Sequence, residues 1–89
     1  MNKYIEYMNE LNDEALYPDG YENEIIGIVM TYNRHLFLMD SDAIINKMIN
    51  EEHITFEEAQ EYFDYNIKGA YVGENTPVFT FGVDETERV

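Results

Sequence analysis

Ile25-Ile26-Gly27-Ile28-Val29-Met30-Thr31-Tyr32, then Asn33-Arg34-His35, then Leu36-Phe37-Leu38-Met39 follow one another without a break. The reading of this stretch decides the fold. The first apolar run is rich in β-branched residues, both runs are short enough to be strands, and the three polar residues between them form a tight link. A β-hairpin is the expectation, with strands over 25–32 and 36–39. Asn-Arg is a weaker turn pair than Asn-Gly, so the pairing must rest on the strands. Gly27 interrupts the first run without ending it.

On the C-terminal side, Asp40-Ser41-Asp42 supplies helix-capping residues, and Ile44, Ile45, Met48 and Ile49 recur at helical spacing to about Asn50. Thr55-Phe56-Glu57-Glu58 matches a capping box, in which the threonine hydroxyl accepts from the amide of Glu58 while the Glu58 side chain reaches back. It predicts a helix from Phe56 to about Ile67. Phe56, Ala59, Phe63 and Ile67 would face inward, with Glu57, Glu58, Glu61 and Asp64 outward. Gly69 suits the left-handed position just past a helix end. Ala70-Tyr71-Val72 and Val78-Phe79-Thr80-Phe81 give one or two short strands around a turn at 73–76, with Pro77 at a strand start or edge.

On the N-terminal side, residues 3–16 read as an amphipathic helix. Tyr4, Ile5, Met8, Leu11, Ala15 and Leu16 lie near one face, with Glu6, Glu10, Asp13 and Glu14 on another. Tyr17-Pro18-Asp19-Gly20-Tyr21 ends it in turn chemistry. The resulting order, α-β-β-α-α-β, predicts an α+β domain over 1–83, with about three antiparallel strands and helices packed on one face. Residues 84–89 read as a polar tail that frays.

Composition narrows the function. The chain has 89 residues and carries 19 Asp and Glu against 5 Lys and Arg, a net charge of −14. Apolar residues make up 45% and aromatic residues 15%, which is too much for a disordered acidic chain. The chain has no cysteine, so disulfides and thiolate metal sites are excluded and a reducing cytoplasm is the expected compartment. No apolar run nears the roughly 18 residues of a membrane span, and the start lacks the pattern of a signal peptide. Anionic membranes and nucleic acids would both repel this charge. A basic protein is the partner it favours.

Catalytic and metal signatures fail on inspection. Asp40, Asp42, Asn46 and Glu51 imitate part of a calcium-loop spacing, but Ile44 and Ile45 stand where a ligand and the turn glycine belong. The two histidines, His35 and His53, have no second nitrogen ligand at helical spacing and no nucleophile beside them. They are expected in the hairpin turn and in an interhelical loop. Gly69 and Gly73 have a G-x-x-x-G spacing with no apolar span around it, so turn geometry explains them better than membrane packing. No catalytic residue, cofactor or metal is expected, and the chain does not read as an enzyme.

What remains is the distribution of acids and tyrosines. Glu57, Glu58, Glu61 and Asp64 form one acidic stripe, Glu6, Glu10, Asp13 and Glu14 another, and Asp19, Glu22 and Glu24 crowd the loop between. Eight tyrosines exceed what so small a core can bury. Tyr62 and Tyr65 border the acidic stripe, where they would serve either as contact anchors or as helix-boundary residues with ring in and hydroxyl out. Duplex DNA shows one charge per roughly 1.7 Å of axis. A small domain with this many carboxylates can present a comparable field to a nucleic-acid-binding groove.

The segment Gly69-Ala70-Tyr71-Val72-Gly73-Glu74-Asn75-Thr76-Pro77-Val78-Phe79 resembles the C-terminal half of small acidic proteins encoded by bacteriophages and prophages. The likeness spans about residues 25–80 and is most specific from Gly69 to Pro77. It implies no activity, but it does imply a phage setting in a bacterial host. The expectation is an acidic binding protein that docks on a basic surface of a host nuclease, CRISPR effector, restriction enzyme or polymerase. A structural role through homodimerisation, using Phe37, Phe79 or Phe81 on an open sheet face, is the second reading.

Overall fold

The structure is a computed structural model, described here over residues 2–82. Helix α1 spans Lys3–Leu11, strand β1 Ile25–Met30, strand β2 His35–Asp40, helix α2 Ser41–Glu52, helix α3 Phe56–Phe63 and strand β3 Val78–Thr80. The α+β class and the order α-β-β-α-α-β agree with the sequence reading. The tail at 84–89 lies outside the described residues.

β1 and β2 form the expected antiparallel hairpin. Ile25 stands opposite Met39 and Ile28 opposite Phe37, three steps on one strand against two on the other. The extra residue makes a bulge at Ile26–Gly27, which resets the alternation so that Ile25 and Ile28 both face the helices. Gly27 lies beside Leu38, whose Cδ2 would stand 3.6 Å from an added Cβ. The turn is wider than expected: the Thr31 amide donates to the Arg34 carbonyl, and His35 opens β2 instead of sitting in the turn.

The third strand corrects the expected topology. β3 pairs with β2 in parallel, Leu38 opposite Val78 and Met39 opposite Phe79, which makes the sheet mixed in the order β1-β2-β3. Parallel neighbours need a long crossover, and here both helices supply it by carrying the chain back to the start of β2. Ala70-Tyr71-Val72 is not a strand.

One core joins these elements: Met8, Ile25, Phe37, Met39, Ile44, Ile45, Met48, Ala59 and Phe63. Tyr17 packs edge-on against Phe37 at 5.5 Å between centroids, and Phe79 against Phe63 at 5.4 Å. Phe37 is thus interior and Phe79 turns toward the helices, so neither offers the exposed dimer face suggested for them. α1 also stops at Leu11, short of the predicted 16. The Asn12 amide still donates to Met8, but Asn12 is extended and its side chain leaves the helix to bind elsewhere.

The helix signals are read locally and hold locally. Asp40 caps α2, its Oδ1 accepting from the Ala43 amide at 3.2 Å. Ile44 and Ile45 lie in the core. His53 ends α2 in the left-handed region at φ 55°, in the predicted interhelical loop. Both halves of the Thr55–Glu58 box are present. After Phe63 the helix widens into a π-turn over Asp64–Lys68. Gly69 follows in right-handed geometry at φ −78°, so its role differs from the one expected. A Cβ there would meet the Asp64 carbonyl oxygen at 2.8 Å. It is the close approach, not a positive φ, that requires glycine.

Candidate partner-binding surface

The acidic residues fall into two populations: those held by the fold and those left to solvent. Glu58 belongs to the first. Its Oε1 accepts from the Thr55 amide at 3.0 Å and from the Thr55 hydroxyl at 3.1 Å, while that hydroxyl accepts from the Glu58 amide at 3.1 Å. The Thr55 backbone hydrogen bond, then the side-chain one, hold the Glu58 carboxyl below its ordinary pKa. Asp64 is half-buried, bonded to Gln60 at 3.2 Å and 3.7 Å from the Lys68 ammonium. Glu24 lies 3.7 Å from the Lys47 ammonium.

Glu57 and Glu61 belong to the second population. Both are exposed on α3 and line a shallow depression with Phe56, Gln60, Asp64, Tyr65 and Lys68. Glu6 and Glu10 are exposed on α1, and Asp13 and Glu14 are exposed in the turn after it. α1 rests on β1 and β2, whereas α3 rests on α2. The two predicted stripes therefore sit on elements with different packing partners.

The two tyrosines also part company. Tyr65 is 76% exposed and shares the depression with Glu57 and Glu61. Tyr62, 52% exposed, lies toward Tyr21 and the end of α2 instead. Burial first, then the charges of Glu52, Tyr62, Glu51 and Glu24, raise the Tyr21 pKa above the ordinary tyrosine value. Tyr4, Tyr17 and Tyr21 pack against the core, but Tyr7, Tyr32, Tyr62, Tyr65 and Tyr71 do not.

Helix electrostatics add a signal that the stripes alone missed. The C-terminal end of a helix is negative and favours cations. Yet α1 and α2 carry glutamate in the last turn (Glu10, and Glu51 with Glu52) and neither has a basic residue there, whereas α3 runs on through the π-turn to a basic residue, Lys68. Glu51, weighed in the sequence only as a calcium-loop position, and Glu52 are exposed and join the acidic surface. Arg34, Lys47 and Lys68 each pair with one carboxylate, and the Lys3 ammonium lies 5.3 Å from the Tyr4 ring centre. The other carboxylates have no cation partner among the described residues.

Beside the depression a deeper groove of about 480 Å³ opens between α3, the start of α2 and the segment Phe79–Gly82. Phe56 forms part of it. Placed inward by helical periodicity, it is 59% exposed, because nothing among the described residues packs against the first turn of α3 on that side. Phe81 forms another part and is 74% exposed.

The segment from Gly69 to Phe79 does different work. The Asn75 Oδ1 accepts from the Asn12 side-chain amide at 2.9 Å and from the Arg34 guanidinium at 3.1 Å; Arg34 also meets Glu74 at 2.8 Å. The Asn75 carbonyl accepts from the Leu16 amide at 3.0 Å, and Asn12 reaches the His35 carbonyl at 2.9 Å. Thr76 closes the turn through its hydroxyl to the Gly73 carbonyl at 2.7 Å, with Gly73 at φ 110°. These residues clamp the crossover to the hairpin.

No group of acidic or histidine side chains among the described residues is placed to hold a metal ion, and no described helix is long and apolar enough to cross a membrane. No family model matches the chain, and neither curated proteins nor solved structures give a match.

Proposed function

We propose that this is an acidic binding protein of phage type that docks through α3 onto a basic surface of a host protein in the bacterial cytoplasm. It blocks that surface against nucleic acid. A nuclease, CRISPR effector, restriction enzyme or polymerase has such a surface. The supporting observation is the placement of glutamates with no cation partner among the described residues, Glu57 and Glu61 beside Tyr65 above all. Glutamates in the last turns of α1 and α2 oppose those helix dipoles by about 0.3–1 kcal/mol each, so helix stability does not explain them. A negative field steers a basic partner in and speeds association, and an aromatic at its centre slows release.

Affinity capture from bacterial lysate at low salt, in parallel with a Glu57→Gln/Glu61→Gln variant, tests the proposal. A basic protein should be retained by the parent chain, be released as salt rises, and be lost from the variant. Retention that is indifferent to both salt and the variant overturns it.

A second reading, self-association, draws on the sheet face turned away from the helices, where register places the half-buried Val29 and Leu38 and the exposed Val78 around a buried Leu36. Sedimentation decides it: a monomer at high concentration removes it.

A further inference from the structure

We infer that the groove between α3 and Phe79–Gly82 is an anchor site for one arginine side chain of a basic partner segment, an inference that rests on the docking reading above. The floor is apolar, formed by Ile45, Phe63 and Phe79. Phe56 and Phe81 also line it and leave much of their surfaces in solvent. Two carboxylates stand at the same groove, Asp42 and Asp64. Asp42 spends one oxygen on the Gly82 amide at 2.6 Å, and Asp64 one on Gln60. Each keeps an oxygen for another donor.

Aromatic walls with carboxylates at the rim match one side-chain chemistry best. A long apolar stem lies along the phenyl faces while a flat cation is attracted to the ring quadrupoles and donates to the acids. Arginine satisfies all three demands; a purely apolar anchor would leave the carboxylates unanswered. Among the described residues the single cation at the groove, Lys68, stands 3.7 Å from Asp64, so the rim that they form is net negative. Glu57 and Glu61 lie on the adjoining depression, which shares Phe56, Gln60, Asp64 and Lys68 with the groove. They are set to receive further basic residues of the same segment.

The test is selection of displayed random ten-residue peptides on the full chain at low ionic strength. Enriched peptides should carry arginine with at least one further basic residue. Replacing that arginine by citrulline, which keeps shape and loses charge, should weaken binding about tenfold or more. Phe81→Ala and Asp42→Asn should each weaken it about tenfold, and peptide should shift the amide resonances of Ser41 and Gly82. Phe81 is exposed, and Asn keeps an acceptor for Gly82, so both variants should fold, which circular dichroism checks.

If Glu57→Gln/Glu61→Gln weakens binding while citrulline, Phe81→Ala and Asp42→Asn do not, the groove inference fails and the docking reading stands. If the enriched peptides are not basic, or nothing is enriched, the groove inference fails. Host-protein capture that also survives both salt and Glu57→Gln/Glu61→Gln then removes the docking reading as well.

Discussion

The turn at Gly73–Pro77 and the outer surface of α3 are both rich in polar side chains, and they use them in opposite ways. In the turn, Asn75, Glu74 and Thr76 spend their polar atoms on Asn12, Arg34 and neighbouring backbone. On α3, Glu57 and Glu61 spend theirs on no partner among the described residues. A polar group satisfied internally contributes to stability and leaves a scar when removed. One that faces water contributes little to folding and remains available to a partner. Substitutions should therefore separate the two regions: stability should respond in the clamp and crossover, and binding on α3.

The largest effect is expected at the hinge between these regions. Gly69→Ala forces a Cβ against the Asp64 carbonyl at 2.8 Å, and backbone yields less readily than a side chain. A loss of up to about 3 kcal/mol is expected in urea unfolding. Asn75→Ala removes an acceptor for two side chains and should cost about 2 kcal/mol. In the same experiment Asn12→Ala, tested with Asn75→Ala, should be less than additive, because the two share a bond.

Thr55→Ala should cost about 1 kcal/mol by removing the cap of α3. That cap is also pH-dependent. The folded pKa of Glu58 is lowered, so its contribution is complete above the ordinary glutamate range and is lost as pH falls through the lowered value. Thermal unfolding of the parent and of Glu58→Gln should converge in acid and diverge near neutrality. Smallest of all, Glu57→Gln with Glu61→Gln should change stability by no more than about 0.5 kcal/mol while reducing capture of a basic partner. A large stability change there would erase the contrast between the regions.

The sharing of Asn75 by Asn12 and Arg34 lay outside what the sequence could reveal, and so did the role of Gly69. Asn75 meets residues 63 and 41 positions away in the chain, a distance at which no local pattern operates. At Gly69 the helix-end signal was read correctly, but the π-turn that brings Asp64 against it was not visible in the spacing. On the site side, Glu57, Glu61 and Tyr65 were legible as one outward face. Glu58 was counted with them although its own capping box already engaged it. The stripe on α1 and that on α3 read alike in the sequence, and only their packing partners separate them.

Taken alone, the sequence determined the net charge, the hairpin, the two helix starts at Asp40 and Thr55, and the α+β order. Each depends on residues within a turn or two of one another, where sterics and capping act directly. Tertiary structure decided that β3 runs parallel to β2, that Phe37 is interior, that Phe56 and Phe81 stand at an open groove, and which carboxylates remain unpaired. These depend on which distant segments meet, and burial, not local preference, selects those meetings.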